Sequence, residues 1–476
     1  MKPILYFSLL FCSLLAQPAF AQIGMSGQPH PSAVLDLKVT DKAFYPPRLT
    51  TAQRNAIVNP QPGAFVYDLD KGTVYLFDGQ NCAPLAITSA NNLAPVDRFA
   101  NDGAAEDQFG FSVAISGDYA VVGTPADDIG ANSKQGSAYV FVRNGSTWTQ
   151  QVKLTASDGA ASDFFGASVA ISGDYVVVGA FADDIGSNNN QGSAYVFVRT
   201  GSSWTQQAKL TADDGAADDN FGNSVAVSGD YVVVGALSDD NGVNTNQGSA
   251  YVFVRSGTLW PQQVKLIASD GAANDIFGSS VAISGNYALV GAFRDDNGAN
   301  TDQGSAYVFA RSGTFWLQQP KLITSDGALD DQFGISVAIS GDYALVGAYK
   351  DNIETNTDQG SAYVFVRSGS TWTQQARLTA SDGALDDQFG ISVAISGDYA
   401  LVGAFRNDNG ANTDQGSAYV FLRIGTNWQP VRSITDNAPA NTKNGYGVGI
   451  SNGTFIIGGS GFNSDKGKVA FGTVDN

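Results

Sequence analysis

Histidine, cysteine, glutamate and basic charge are all scarce in this 476-residue chain. A single histidine, His30, excludes any imidazole chemistry repeated along the sequence. Of the two cysteines, Cys12 lies in an N-terminal apolar run, so an exported product would keep only Cys82. An intramolecular disulfide is then ruled out even in an oxidising compartment. Only two glutamates, Glu106 and Glu354, stand among the 45 acidic residues. Glutamate favours helices whereas aspartate favours turns and caps, so the carboxylates belong to loops. A formal net charge of −19 argues against nucleic acid as a partner. Beyond the N-terminus no run reaches the ~18 apolar residues of a transmembrane helix. HExxH and a nucleophile–histidine pairing are absent as well. What remains is 43% hydrophobic and 15% charged residues, enough for a sizeable core.

Residues 1–21 read as a secretory signal: Lys2, an apolar run from Ile4 to Leu15, then Ala19-Phe20-Ala21 before Gln22. A lipoprotein signal at Cys12 is the rival, but Leu10 and Phe11 stand where small residues belong. The expected destination is the cell surface or the medium.

A repeat decides the architecture. All six tryptophans (Trp148, Trp204, Trp260, Trp316, Trp372 and Trp428) fall 56 residues apart. Phe-Gly pairs beginning at Phe109, Phe165, Phe221, Phe277, Phe333 and Phe389 keep the same spacing. A weaker seventh copy is expected at Tyr446-Gly447, after a one-residue insertion. Units therefore begin near Asp102, Asp158, Asp214, Asp270, Asp326, Asp382 and Ala438.

Each unit holds four short β-rich segments. In the second they are Gly166–Ser172, Tyr175–Ala180, Ser193–Arg199 and Trp204–Thr211. Gly173-Asp174 is a two-residue hairpin signal between the first two. Four antiparallel strands repeated radially predict an all-β fold, a seven-bladed β-propeller. The chain ends without a fourth strand in copy seven, while Ala94–Phe99 aligns with Gln150–Thr155. That N-terminal strand is expected to close the last blade and remove two open edges.

Phe109-Gly110-Phe111-Ser112-Val113-Ala114 followed by Val122-Gly123-Thr124-Pro125 resembles the FG-GAP repeat, which forms the seven-bladed propeller of integrin alpha subunits. The longer form, with Gln-Gly-Ser-Ala-Tyr-Val-Phe and a tryptophan, is most similar to bacterial secreted FG-GAP proteins. Two departures matter. Only the first unit keeps proline after Gly-Thr, and the turn between strands one and two, Ser116-Gly117-Asp118, is too short for the calcium loop of integrins.

Residues 22–90 lie outside the period. Ala64–Asp68 and Thr73–Asp78 predict a hairpin joined at Asp70-Lys71-Gly72. Pro31–Leu37 and Pro47–Thr50 resemble an N-terminal module of bacterial surface proteins that occurs in fibre-like assemblies. The expected organisation is a signal over 1–21, a small β-rich spacer or self-assembly module over 22–90, and the propeller over 91–476.

Antiparallel order places the 4–1 and 2–3 loops on one face and Arg143, Arg199, Arg255, Arg311, Arg367 and Arg423 towards the other. The 4–1 loops carry Asp107, Asp163, Asp219, Asp275, Asp331 and Asp387, expected to present a ligand face. The 2–3 loops carry a second set: Asp184 with Asn188, Asp240 with Asn244, Asp296 with Asn300 and Asp302, and Asp408 with Asn412 and Asp414. Two readings of this second set stand. Oxygen-rich loops can coordinate calcium, which takes about 6–8 oxygens. Equally, Asp, Asn and Gly build tight turns through side-chain–backbone hydrogen bonds. The functional expectation is a non-catalytic, exported binding or adhesion scaffold for an extracellular protein or glycan. A lectin using the repeated tryptophans or loops is the alternative, and a hydrolase at the central funnel is a weaker one.

Overall fold

The computed structural model describes residues 47–57, 64–69, 73–77, 82–84, 95–435 and 438–474. The expected signal over 1–21 and the segment Pro31–Leu37 lie outside these residues. The chain divides into two compact units, Met1–Ala86 and Ile87–Asn476.

The first unit contains a four-stranded sheet of Arg48–Leu49, Phe65–Asp68, Thr73–Phe77 and Cys82–Pro84. The expected hairpin is present: Phe65–Asp68 runs antiparallel to Thr73–Phe77. A short helix, Thr51–Asn55, starts at a Thr50/Gln53 capping box. It delivers Arg54 onto the fully buried Asp68 at 2.7 Å and over the Tyr75 ring at 3.6 Å. A buried carboxylate needs such pairing to stay charged.

The second unit is built of seven four-stranded antiparallel sheets, an arrangement consistent with a β-propeller. In sheet two the strands are Ser168–Ser172, Tyr175–Ala180, Ser193–Thr200 and Ser203–Leu210. Ser172 pairs with Tyr175 around the Gly173-Asp174 turn, where Gly173 adopts φ +57°. Val176, Val177, Val178, Ala180, Ala194 and Val196 of the middle strands are fully buried, and Phe165, Tyr195 and Phe197 form an aromatic cluster at centroid separations of 5.5 and 6.0 Å.

The two glycines of the repeat meet between consecutive sheets. A Cβ on Gly179 would collide with the carbonyl of Gly222 in the next unit, and Ser168 Oγ donates to that same carbonyl at 2.7 Å. Backbones approach this closely only where both side chains are absent. Gly403 meets Gly445 between units six and seven in the same way, and Gly458 returns to Gly110 of unit one. The seventh sheet orders Asn444–Ser451, Thr454–Gly459 and Lys468–Thr473, then Val96–Arg98. Val469 pairs with Arg98 and Phe471 with Val96, so the N-terminal strand completes the last sheet as expected.

One register differs from expectation. Asn444-Gly445, not Tyr446-Gly447, holds the Phe-Gly place of unit seven: Asn444 bridges Gly416 as Phe389 bridges Gly360. The connection is one residue short where an insertion was expected. Close backbone approach at the glycine sets the register, and it tolerates Asn in place of Phe. Tyr446 instead joins Phe405 and Phe111 at 5.4 and 4.9 Å.

Candidate binding face

The 2–3 and 4–1 loops are hydrogen-bonded to each other from one unit to the next. Asn188 Nδ2 donates to Gln191 Oε1 at 2.9 Å and to the Gly215 carbonyl at 3.2 Å, and Asp218 N donates to the Asn189 carbonyl at 2.8 Å. Asn244 and Asn300 repeat the pattern onto Gly271 and Gly327. Asn412 keeps the backbone ladder with Asn409. These amides bind loop to loop, as expected if the two loop sets share a face.

The aspartates of the 2–3 loops cap their own turns. Asp184 Oδ1 accepts from Asn190 N at 2.9 Å, Asp240 from Asn246 at 2.7 Å, Asp296 from Asp302 at 2.9 Å and Asp408 from Asp414 at 2.8 Å. Each donor residue is left-handed, with φ between 49° and 51°. Asn352 does the same for Asp358 in unit five, so the task needs an acceptor oxygen and no charge. Among the described residues no three carboxylate, imidazole or thiol side chains converge into a group that could hold a metal ion. The hydrogen bonds fit the turn-building reading of these loops, and no step below runs through calcium.

The 4–1 aspartates are placed differently from the ligand-face expectation. Asp107, Asp163, Asp219, Asp275, Asp331 and Asp387 are only 2–5% exposed. Each accepts from the backbone N–H three residues earlier, as Asp163 does from Ala160 at 2.6 Å. Burial, with a neighbouring carboxylate adding to it against the Ala N–H, pushes Asp163, Asp219 and Asp275 up to about 6 and Asp331 up to about 7. Asp107 and Asp387 are raised by the same burial.

A third set of residues escaped the sequence reading. Lys209, on the outer strand of unit two, binds Asp158 at 2.7 Å and Asp183 at 2.8 Å. Asp183 also accepts from Ser193 Oγ at 2.5 Å and Tyr195 OH at 2.9 Å, with its side chain 7% exposed. Lys153, Lys265, Lys321 and Arg377 repeat the arrangement in units one, three, four and five. Burial disfavours the ammonium of Lys209, yet the two carboxylates overcome it and raise its pKa. Asp158 is held below the ordinary carboxyl range because the lysine outweighs the opposing effect of burial. The only signal for this cluster in the sequence was a paired change in unit six, where Asn407 and Ser433 replace the aspartate and the lysine.

The surface left to a ligand consists of the half-exposed first aspartates, Asp102, Asp158 and Asp214, and shallow acidic clefts beside them. One cleft in unit three has a volume of about 310 Å³ and is lined by Asp214, Asp218, Asp219, Asp239, Asp240 and Lys265. At the other end of the strands the arginines are paired too: Arg143 meets Asp118 at 2.6 Å, and Arg199, Arg255, Arg367 and Arg423 meet the aspartates of their own 1–2 turns.

Five of the six tryptophans are buried, and Trp372 is half-buried. Trp204 is 8% exposed, lies 6.0 Å from Tyr119 of the preceding sheet and donates Nε1 to Gln151 at 3.0 Å. Trp260, Trp316 and Trp428 donate to Gln207, Gln263 and Gln375 in the same way. They join one sheet to the next.

Among the described residues no helix is long and apolar enough to cross a membrane. No curated protein matches the chain. Residues 22–93 match a phage tail like trimerisation region. The FG-GAP repeat matches six times, over 99–141, 148–197, 204–253, 260–309, 316–365 and 372–421, which is more than half of the sequence. The chain therefore belongs to the FG-GAP repeat family.

Proposed function

We propose that this chain is an exported, non-catalytic adhesion scaffold: a closed seven-bladed propeller carried on a self-assembling base formed by residues 22–93. The glycine contact between consecutive sheets, repeated from Gly123 with Gly166 round to Gly458 with Gly110, supports the closed ring. The phage tail like trimerisation match supports the base. Assembly multiplies weak contacts, because linked sites bind at an effective concentration set by their tether.

The ligand face of this reading is the joined 4–1 and 2–3 loops, net acidic at the exposed aspartates. The observation that carries it is the loop-to-loop hydrogen bonding of Asn188, Asn244 and Asn300, which makes one rigid platform from separate units. A preorganised surface loses little entropy on binding. The raised aspartate of each 4–1 loop is buried and accepts from its own turn, as Asp219 does from Ala216 N at 2.6 Å, which argues against its serving as the general acid of a hydrolase.

The test is adhesion of beads coated with the full chain to surfaces coated with a cationic protein, alongside a glycan array. Retention on the protein surface, lost on combining Asp102→Asn, Asp158→Asn and Asp214→Asn, supports the acidic face. Glycan binding that survives those changes would replace this reading with the lectin one.

A further inference from the structure

The contacts between neighbouring sheets repeat, so a seam that departs from them is informative. Next to the 1–2 turns, five seams are filled by a tyrosine ring. Tyr119 meets Trp204 and Arg199 of the next unit: its ring centroid is 6.0 Å from the indole, and the guanidinium lies 4.4 Å from its centre. Arg199 Nη1 also donates to the phenol oxygen at 3.3 Å. Tyr175, Tyr231, Tyr287 and Tyr343 meet Trp260, Trp316, Trp372 and Trp428 in the same edge-on way. Each also carries the next arginine over its ring. A phenol ring gains from both neighbours, by edge contact with the indole and through its quadrupole with the cation.

The seam between sheets seven and one keeps the indole and the guanidinium but has no tyrosine to join them. Ser451 pairs with Thr454 as Ser116 pairs with Tyr119, so Thr454 holds the tyrosine position. Arg143 Nη1 donates to Thr454 Oγ1 at 3.2 Å in place of a phenol oxygen, while its Nη2 is held by Asp118 at 2.6 Å. Trp148 stacks on Phe471 at 4.4 Å, and Phe471 stands where unit one has Val140. The indole also lacks its usual acceptor: Pro95 lies one period before Gln151, which receives Trp204 Nε1.

What remains is a cleft of about 270 Å³ bounded by Arg143, Trp148, Thr454, Phe471 and Val96. Its walls are an indole, a phenyl ring and an aliphatic side chain, with one guanidinium and one hydroxyl. The volume exceeds the ~150 Å³ of an apolar cavity that takes benzene, yet lies at the small end of ligand pockets. It suits a single ring. The adjoining chain supplies none, since residues 78–98 and 472–476 contain no aromatic side chain.

We propose that this seam is a binding site for a phenolic ring, the group that fills the same surroundings as a tyrosine side chain in five other seams. The ring packs against Trp148 and Phe471, and its hydroxyl accepts from Arg143 Nη1, which leaves Thr454 Oγ1 to meet it. Asp118 already balances the charge of Arg143, so a neutral phenol is preferred to a carboxylate. The site lies at the arginine end of the strands, away from the acidic loops, and does not rest on the adhesion reading.

Saturation-transfer NMR titrations of the full chain with p-cresol, toluene and p-toluate test it. The parent should bind p-cresol, with toluene and p-toluate about tenfold weaker, the worth of one hydrogen bond to a charged group. Thr454→Tyr with Phe471→Val gives this seam the residues of the others and should abolish p-cresol binding without lowering Tm. Arg143→Gln should reduce p-cresol to the level of toluene while toluene binding stays as in the parent, which shows the cleft intact. If the rebuilt seam lowers Tm, the Arg143 variant and the toluene comparison decide alone. A parent that gives no p-cresol signal up to its solubility overturns the proposal. So does p-cresol binding that survives in the rebuilt seam, or toluene bound as tightly as p-cresol by the parent. The peptide Gly-Gly-Tyr-Gly-Gly separates the two sources of a phenol: competition with p-cresol assigns the site to a tyrosine side chain of another molecule, and p-cresol binding without it to a free phenol.

Discussion

Units two and six solve one structural problem in opposite ways. In unit two, Asp183 is buried as an ion with Lys209, and the pair is completed by Ser193 and Tyr195. In unit six, Asn407 takes the same place without a lysine, because Ser433 stands on the outer strand. Ser417 Oγ donates to Asn407 Oδ1 at 2.8 Å, as Ser193 does to Asp183. Unit seven exchanges the signs: Lys468, 1% exposed, lies 3.3 Å from Asp97 on the closing strand. The position requires a satisfied acceptor or a balanced pair, not a particular charge. A buried ion pair is replaceable as a whole, while half of one is not.

The sharpest way to break the comparison is to remove one member. Lys209→Ala leaves Asp183 buried without its cation and is expected to cost about 2–3 kcal/mol, less than a fully buried pair because Lys209 is partly exposed. Thermal or urea unfolding reads it. Adding Asp183→Asn to a Lys209→Ser background recreates unit six and should recover stability to within about 1 kcal/mol of the parent. A double variant no better than the single would show that units two and six are not equivalent.

The buried 4–1 aspartates sharpen the comparison through pH. Their carboxyls take up protons at a higher pH in the folded chain than the usual 3.8, so protonation favours the fold. The stability they confer is complete below about 3.8 and is lost as pH rises through about 6 to 7. Tm should therefore rise as pH falls from 8 towards 5. Below about 3.8 it should turn down, as Asp158 and its counterparts, held low by lysine, become protonated. Asp219→Asn should flatten the upper part of that profile.

The smallest effects belong to the turn aspartates. Asp184→Asn should change stability by less than about 0.5 kcal/mol, because Asn352 already performs that task in unit five. Asp184→Ala should cost about 1 kcal/mol by orphaning the Asn190 N–H. Chelator should leave Tm unchanged; a fall of several degrees on chelation, restored by calcium, would return the loops to a metal role.

Much of the fold was legible because its determinants recur at a fixed spacing. The Phe-Gly pairs, the hairpin at Gly173-Asp174 and the match of Ala94–Phe99 to an outer strand all gave correct pairings. Unit seven misled where a side chain was read in place of a backbone contact, since the glycine at 445 holds the register. The site was less legible. Asp107 and Asp102 look alike in a loop of Asp-Gly-Ala-x-x-Asp, yet one is buried under its own turn and the other half-exposed beside Lys153. Lys153 reaches across 51 residues to Asp102, a separation that no local pattern announces.

By itself the sequence determined the period, the four strands of each unit and the N-terminal strand that completes the last sheet, because these follow from short-range alternation and repeated glycines. Only the tertiary structure decided which carboxylates are buried, which are paired and which meet solvent. That division depends on how deeply neighbouring sheets and loops cover each oxygen, and coverage comes from residues far away along the chain.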